Sequence, residues 1–345
     1  MDKEDIQSYP LPKLTEWFVA GHQPAFRGAQ VFEWLHGKQA ASFGEMTNLP
    51  LSLRESLETR CLLHTPDILR KQVSADGTVK YLYGLSDGSS VETVLMDYRH
   101  GTSLCISTQV GCRMGCSFCA STKGGLVRNL TAAEMLGQVY ASGADSGKRI
   151  GSIVLMGIGE PLDNLDNVLD FMEIISTKAP LGLGLGLRHL TLSTCGLVDK
   201  IALLAEKKLP ITLSISLHAV TDRERAKLMP VAHRWKIAEL MEACNAYFSA
   251  TGRRVTYEYA LMEGVNDSPR HAEALAALLR GQNCHVNLIP LNPVDGGPYR
   301  KSRDSSMQRF RDILERSGVP ATLRRSLGQD ISAACGQLRN KNLSI

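Results

Sequence analysis

The chain has 345 residues, of which 43% are hydrophobic and 21% charged, with a net charge of +4. That is the make-up of an ordinary globular protein with length enough for a sizeable core, and it argues against a disordered or fibrous chain. No stretch approaches eighteen apolar residues, and the opening MDKEDIQSYP has no basic run followed by an apolar one, so the expectation is a cytoplasmic protein with no membrane partner. The charge is too small to announce a nucleic-acid binder by itself. Nine cysteines in a reducing compartment read as ligands and nucleophiles rather than bridges.

From Pro10 to about Leu63 the text is helical: LPKLTEWFVAG, FRGAQVFEWLHG and LPLSLRESLETRC each carry apolar residues three or four apart, with Gly or Pro between them. This gives an N-terminal helical domain over 1–66. Basic and aromatic residues interleave there, which leaves both an RNA-touching module and a plain packing domain open. Over 67–100 the period changes to alternation. Asp76-Gly77 and Asp87-Gly88 are two hairpin signals between β-rich runs, so a β-hairpin extension is predicted ahead of the core. Within it, Glu92 reads on its own as a strand carboxylate facing solvent.

The stretch Leu104 to Cys119, LCISTQVGCRMGCSFC, holds four of the cysteines. Cys112, Cys116 and Cys119 have the spacing C-x3-C-x2-C. Thiolates are soft ligands, and three on one loop can hold three irons of a cubane while leaving the fourth iron open. A zinc knuckle and three buried structural cysteines are the alternatives. Zinc calls for a fourth Cys or His at its own spacing, and none follows within the next sixty residues.

From there short apolar strands alternate with helical stretches, the pattern of parallel β/α units. Strands are predicted at Ser103 to Thr108, Ser152 to Gly157, His189 to Cys195, Ile211 to Leu217, Arg254 to Met262 and His285 to Asn292. Helices are predicted near Ala132 to Ala141, Asn164 to Thr177, Val198 to Glu206, Ile237 to Ala250, Pro269 to Arg280 and Asp304 to Ser317. The fold class is therefore α/β, a partial (β/α)6 barrel over 101–325, in which ligands sit at the C-terminal strand ends. GIGEP, STC, SLH and PLNP fall at four of those ends. Each has a bland reading as a turn or a satisfied core group. Together, Gly157 and Gly159 offer close backbone approach, and Glu160, Ser193, Ser216, His218 and Asn292 offer donors and acceptors.

Leu181 to Leu187, LGLGLGL, is a small flexible oddity. From Asp295 onward ten Lys/Arg stand against five Asp/Glu, Arg324 and Arg325 among them, which fits a solvated helix face or phosphate contacts equally. The tail, 326–345, carries Cys335, which beside two alanines reads by itself as a small buried hydrophobe.

The cysteine loop resembles the signature of radical S-adenosylmethionine (SAM) enzymes. QVGCRMGCSFCAS, RNLTAAE, MGIGEPLDN, SLHA, RAKLMP, GRRVTYEY, GVNDSPRHA, HVNLIPLNP and DISAACGQL are, in that order, similar to the RlmN/Cfr family of RNA adenosine methyltransferases. GHQPAFRGAQ resembles that family's N-terminal module. The likeness covers nearly the whole chain. It implies a radical-SAM barrel, one [4Fe-4S] cluster on Cys112, Cys116 and Cys119, and SAM held near Gly159, Glu160, Ser193, Ser216, Leu217, His218 and Asn292.

It further implies two SAM per turnover. One methylates Cys335 by displacement; the other, chelated to the cluster, yields a radical that takes a hydrogen from that S-methyl group, after which the carbon adds to adenine. Glu92 matches the position that removes the ring proton, and Cys105 the thiol that attacks the sulfur of Cys335 and frees the product as a disulfide forms. The implied partners are RNA (23S rRNA, and tRNA at position 37), an electron donor such as flavodoxin or ferredoxin, and a thiol reductant. The implied product is an adenosine methylated at carbon 2. The alternatives are carbon 8 methylation in the Cfr manner, another radical reaction, or a cluster-bearing RNA-binding module. Ser332, Ala232 and Cys195 depart from the family's usual residues. Cys61, Cys195, Cys244 and Cys284 are read as packing residues.

Overall fold

A computed structural model describes residues 3–99, 101–294 and 296–338. Asp295, Arg339 and Lys341, which enter the basic-tail count, lie outside the described residues.

The N-terminal segment folds into α1 (Leu11–Ala20), α2 (Phe26–Phe32), which runs into a wider turn at Glu33–Gly37, and α3 (Leu51–Arg60). Leu14 and Phe18 of α1 and Val31, Phe32 and Leu35 after the bend bury the apolar side. Gly28 lets α1 and α2 cross closely: a Cβ there would stand 2.6 Å from Thr15 Oγ1. These side chains belong to the same continuous core as the barrel. His36, fully buried, meets Tyr140 Oη at 3.0 Å, and the amide of Ala133 donates to Ser8 Oγ at 2.9 Å.

The predicted hairpins are β1 (Asp67–Val73), β2 (Val79–Gly84) and β3 (Ser90–Tyr98). In the two turns Gly77 and Gly88 have φ of 85° and 81°, and the preceding aspartates accept from the amides of Thr78 and Ser89. The extension is not separate from the core. β3 pairs antiparallel with β4 (Gly101–Cys105), Val94 opposite Cys105, and β4 then opens a parallel run. Beyond it, β5 (Gln109–Gly111) and β6 (Leu126–Asn129) form a small antiparallel ribbon that brackets the cysteine loop, and α4 (Ala132–Ser146) starts on a capping box of Thr131 and Glu134.

The rest alternates as expected: β7 (Ile150–Leu155), α5 (Leu165–Ser176), β8 (Leu190–Thr194), α6 (Val198–Glu206), β9 (Thr212–Ser216), α7 (Asp222–Leu228), α8 (Ile237–Thr251), β10 (Val255–Leu261), α9 (Pro269–Leu278), β11 (Cys284–Pro290), α10 (Asp304–Arg316) and β12 (Ala321–Leu323). The ten-stranded sheet has the order β1-β2-β3-β4-β7-β8-β9-β10-β11-β12. Seven strands from β4 to β12 are parallel, one more than the six predicted, because three residues after α10 suffice to pair with β11. Leu181–Leu187 is not loose. Gly37 packs against it so tightly that a Cβ would stand 2.1 Å from the carbonyl oxygen of Pro180.

The tail leaves β12 at one edge of the sheet and is fastened at the other. Ser74 donates to Asp330 at 2.5 Å, the amide of Ala75 donates to Asp330 at 3.1 Å, and the amide of Gly328 donates to Asp76 at 2.9 Å. Val94 and Met96 of β3 thus share one cavity with Ile289 and Pro290 of β11, so the sheet is curled.

Candidate active site

The C-terminal ends of β7, β8, β9 and β11 open on a cleft of about 990 Å³, counting its solvent-open part. Cys112, Cys116 and Cys119 line it, with Gly159, Glu160, Ser193, Ser216, His218, Asn292 and Cys335. Leu217 does not: its side chain is fully buried in the core, and its amide donates to the carbonyl of Glu258. Its place in the SLH motif is thus that of a spacer, because successive residues leaving a strand point to opposite sides.

Ribbon β5–β6 sets the cysteine loop, Cys112 donating its amide to the Gly125 carbonyl at 2.8 Å. Burial pushes the Cys112 thiol up to about 12, and Cys119 adds to the rise. Burial raises Cys116, with Cys119 and Cys112 behind it, and burial raises Cys119 against a hydrogen bond from Ser121. Three ionised sulfurs here would need positive charge between them. Among the described residues no three His, Cys, Asp or Glu side chains converge on a point where a single metal ion could be held. An all-sulfur trio spread around one cleft fits a cluster, in which each thiolate takes its own iron, better than a lone tetrahedral ion.

Glu160 is buried and raised by that burial; its oxygens accept from the amides of Cys195 at 2.7 Å and Leu162 at 3.1 Å. Gly157 and Gly159 line the cleft, yet their hydrogen atoms answer first to packing. A Cβ on Gly157 would stand 2.6 Å from the Ile106 carbonyl oxygen, and one on Gly159, where φ is 109°, 2.7 Å from Gln109 Cβ. His218 is held by the Ala260 amide, which donates to Nδ1 at 3.0 Å, and stands edge-on to Phe118. Burial, with Arg225 adding, takes its pKa down to about 3, so the ring is neutral with its proton on Nε2. Asn292 grips the tail, Nδ2 donating to the Cys335 carbonyl at 3.2 Å and Oδ1 accepting from Gln329 at 3.1 Å.

A second cavity of about 630 Å³ adjoins the cleft. Cys105 lines it with Val94, Tyr98 and Arg324, and Cys335, Met156, Ile289 and Asn292 line both spaces. Cys105 is buried, and Cys335 sits on a turn exposed at the surface where the two cavities meet. Burial pushes Cys105 up to about 12, Cys335 adding to it; enclosure also raises Cys335, while Arg324 pulls it down. Glu92 lines neither cavity. It is buried, not solvent-facing, with Oε1 3.2 Å from the ammonium of Lys80.

The sequence reading missed three residues that matter here. Glu258 lines the cleft from the middle of β10, with Oε1 accepting from Ser214 at 2.7 Å and Asn287 at 2.8 Å and Oε2 3.7 Å from Arg324. A carboxylate amid the apolar VTYEYAL was the available signal. Arg324, counted above with the basic surface, is instead the cation beside both thiols. A third, Arg225 of α7, is fully buried and donates to the carbonyls of Cys195 and Ser216 behind the cleft.

Residues 106–276 match the model of the radical SAM superfamily, and residues 5–63 match that of the ribosomal RNA large subunit methyltransferase N-terminal domain. The chain is 50% identical to a probable dual-specificity RNA methyltransferase RlmN of Lachnoclostridium phytofermentans, covering 98% of this chain and 95% of that one. It is 48% identical to the protein so named in Clostridium perfringens, covering 97% and 96%. Among solved structures, a radical SAM methyltransferase from Sphaerobacter thermophilus superposes with a TM-score of 0.91 at 44% identity, over 97% of this chain and 99% of that one. No helix among the described residues is long and apolar enough to cross a membrane. With two family models and near full-length relatives agreeing, the chain belongs to the RlmN family of radical SAM RNA methyltransferases.

Proposed function

We propose that this enzyme methylates carbon 2 of an adenosine in 23S rRNA, and in tRNA at position 37, with Cys335 as the methyl carrier and Cys105 as the thiol that releases the product. The observation that carries the reading is the place of Cys335. It lines both the cleft of the three cluster cysteines and the cavity of Cys105, so one sulfur can face each in turn.

Cys112, Cys116 and Cys119 would hold a [4Fe-4S] cluster, and the chemistry it would supply is one-electron cleavage of SAM, hence a radical able to take hydrogen from an S-methyl group. Gly159, Glu160, Ser193, Ser216, His218 and Asn292 are the cleft residues that orient the cofactor, His218 as a neutral Nε2–H donor. The Cys335 thiolate, favoured by Arg324 against the rise that enclosure causes, takes a methyl group from a first SAM by displacement at carbon, with S-adenosylhomocysteine as the leaving group. Adenine carbon 2 is electron-poor, so the one-carbon unit reaches it from the sulfur and leaves RNA and enzyme joined. The ring adduct returns its unpaired electron to the redox partner, and Glu92 takes the ring proton. The Cys105 thiolate then attacks the Cys335 sulfur, the carbon–sulfur bond breaks with its electron pair left on the carbon, which takes up a proton to become the methyl group, and a disulfide forms that an external dithiol reduces. A flavodoxin- or ferredoxin-like protein supplies the electron. The target base enters unpaired or flipped, since its edge is out of reach in a stacked helix.

Digestion of the modified RNA to nucleosides, with chromatography and mass analysis, is expected to give 2-methyladenosine; 8-methyladenosine would overturn the carbon assignment. Cys335→Ala is expected to abolish methyl transfer. Cys105→Ala is expected to accumulate a protein–RNA adduct on a denaturing gel, and normal turnover in that variant would remove its releasing role.

A further inference from the structure

Across the hairpin, Lys80 of β2 stands opposite Val94 of β3, two positions along the ladder from Glu92, which faces Leu82. Its ammonium lies 3.2 Å from Glu92 Oε1 and donates at 3.1 Å to the carbonyl of Ser332 in the tail. Both side chains are almost fully enclosed, at 3% and 4% exposure. A buried ion pair adds little net stability over apolar packing of the same shape, and its best-attested use is to fix register. The register fixed here is that of an acid against the docked tail. Ser332 precedes Cys335 by three residues, a span of at most about 10 Å of chain.

We propose that Lys80 is a positioning residue for the methyl transfer, tying the Glu92 carboxylate to the docked tail so that the proton acceptor and the methyl-carrying sulfur are set relative to each other. The inference rests on the reading of Glu92 as the group that takes the ring proton. The fastenings of the tail at Ser74, Ala75 and Asp76 hold it to the hairpin turn, those at Asn292, Pro293, Ala120 and Ser121 hold it to the barrel, and none of these bonds is made to Glu92. Lys80 alone among these contacts joins tail to acid. Proton removal from a carbon bonded through Cys335 demands a carboxylate at a fixed distance from that carbon. One ammonium shared between Glu92 and the tail main chain provides that constraint, and it is present only while the tail is docked.

The test compares Lys80→Met, Lys80→Arg, Glu92→Gln and the double variant Lys80→Met/Glu92→Gln in full-length, cluster-reconstituted enzyme acting on RNA. Four quantities are read: kcat and KM for RNA, the methyl mass added to the Cys335 peptide, protein–RNA adduct on a denaturing gel, and the unfolding midpoint. Lys80→Met is expected to lower kcat about 100-fold with KM for RNA within about twofold, to keep Cys335 methylated, and to accumulate adduct. Lys80→Arg, which keeps the charge, is expected to recover to within about tenfold of the parent. The double variant is expected to be no slower than Glu92→Gln alone, because a residue that acts through Glu92 has nothing left to act on. Normal turnover of Lys80→Met, or a loss in the double variant that multiplies that of Glu92→Gln, overturns the inference. Should Lys80→Met fail to fold, the double variant, free of both charges, still gives the decisive comparison with Glu92→Gln. If Glu92→Gln turns over normally, it is the reading of Glu92 that fails; if it traps adduct while Lys80→Met does not, only the role of Lys80 is lost.

Discussion

At the scale of single residues, the proposed chemistry turns on two thiols that their surroundings resist ionising. Burial raises Cys105 and enclosure raises Cys335, while Arg324 opposes both and is itself anchored toward Glu258. Removing that guanidinium leaves the rise uncompensated. In Arg324→Met, methyl uptake by Cys335 without RNA is expected to fall about tenfold at neutral pH, with the rising limb of its pH–rate profile moved upward. Mass analysis of the Cys335 peptide across a pH series checks this; an unmoved limb would show that Arg324 does not tune the sulfur. Cys112, Cys116 and Cys119 stood out in the sequence because their pattern is local, three cysteines within eight positions of one loop. Glu258 and Arg324 were not, since 66 positions of chain separate them and only the pairing of β10, β11 and β12 brings them together. Glu92 was legible only by likeness to a family, because strand alternation alone pointed it to water.

At the scale of elements, the long amphipathic helices and the six longer parallel strands were readable from period alone. Four short pieces were not. β12 and β5 have three residues each and β6 four, too few for any period to register, and α7, DRERAKL, is nearly all polar, its Arg225 buried. The tail has no period at all and is shaped by contacts with a hairpin some 250 positions earlier. Gly328 is the tightest point of that docking: φ is 64°, and a Cβ would stand 2.7 Å from Ala333 Cβ and 3.0 Å from Thr78 Cγ2. Gly328→Ala is expected to lower turnover at least about tenfold while shifting the unfolding midpoint by less than about 3 °C, since strain of about 1–3 kcal/mol is relieved by undocking the tail instead of opening the core. Parallel activity and thermal unfolding measurements separate the two effects.

At the scale of the whole molecule, the helical module and the barrel share one core, and His36 sits at their junction with Tyr140. Burial lowers the pKa of His36 from 6.5 to about 3. The unfolded chain therefore takes up this proton near pH 6.5, whereas the folded chain takes it up only near pH 3. Between those values stability declines as the pH falls, by about 1.4 kcal/mol per pH unit for one such group, and it is fully present above about pH 7. Urea midpoints measured from pH 7.5 to 5 are expected to drop accordingly, and His36→Leu is expected to flatten the slope; an unchanged slope would mean that other groups govern acid sensitivity.

The tail starts from β12 at one rim of the curled sheet and is tied down at the β1–β2 turn on the opposite rim. It is a strap of set length across an open hoop. Substitutions along it change how firmly it lies, but losing or gaining one residue between Arg325 and Gly328 would shift every later atom by about 3.3 Å, roughly a whole bond-forming distance at Cys335. Tail length, more than tail composition, is what this enzyme has least freedom to vary.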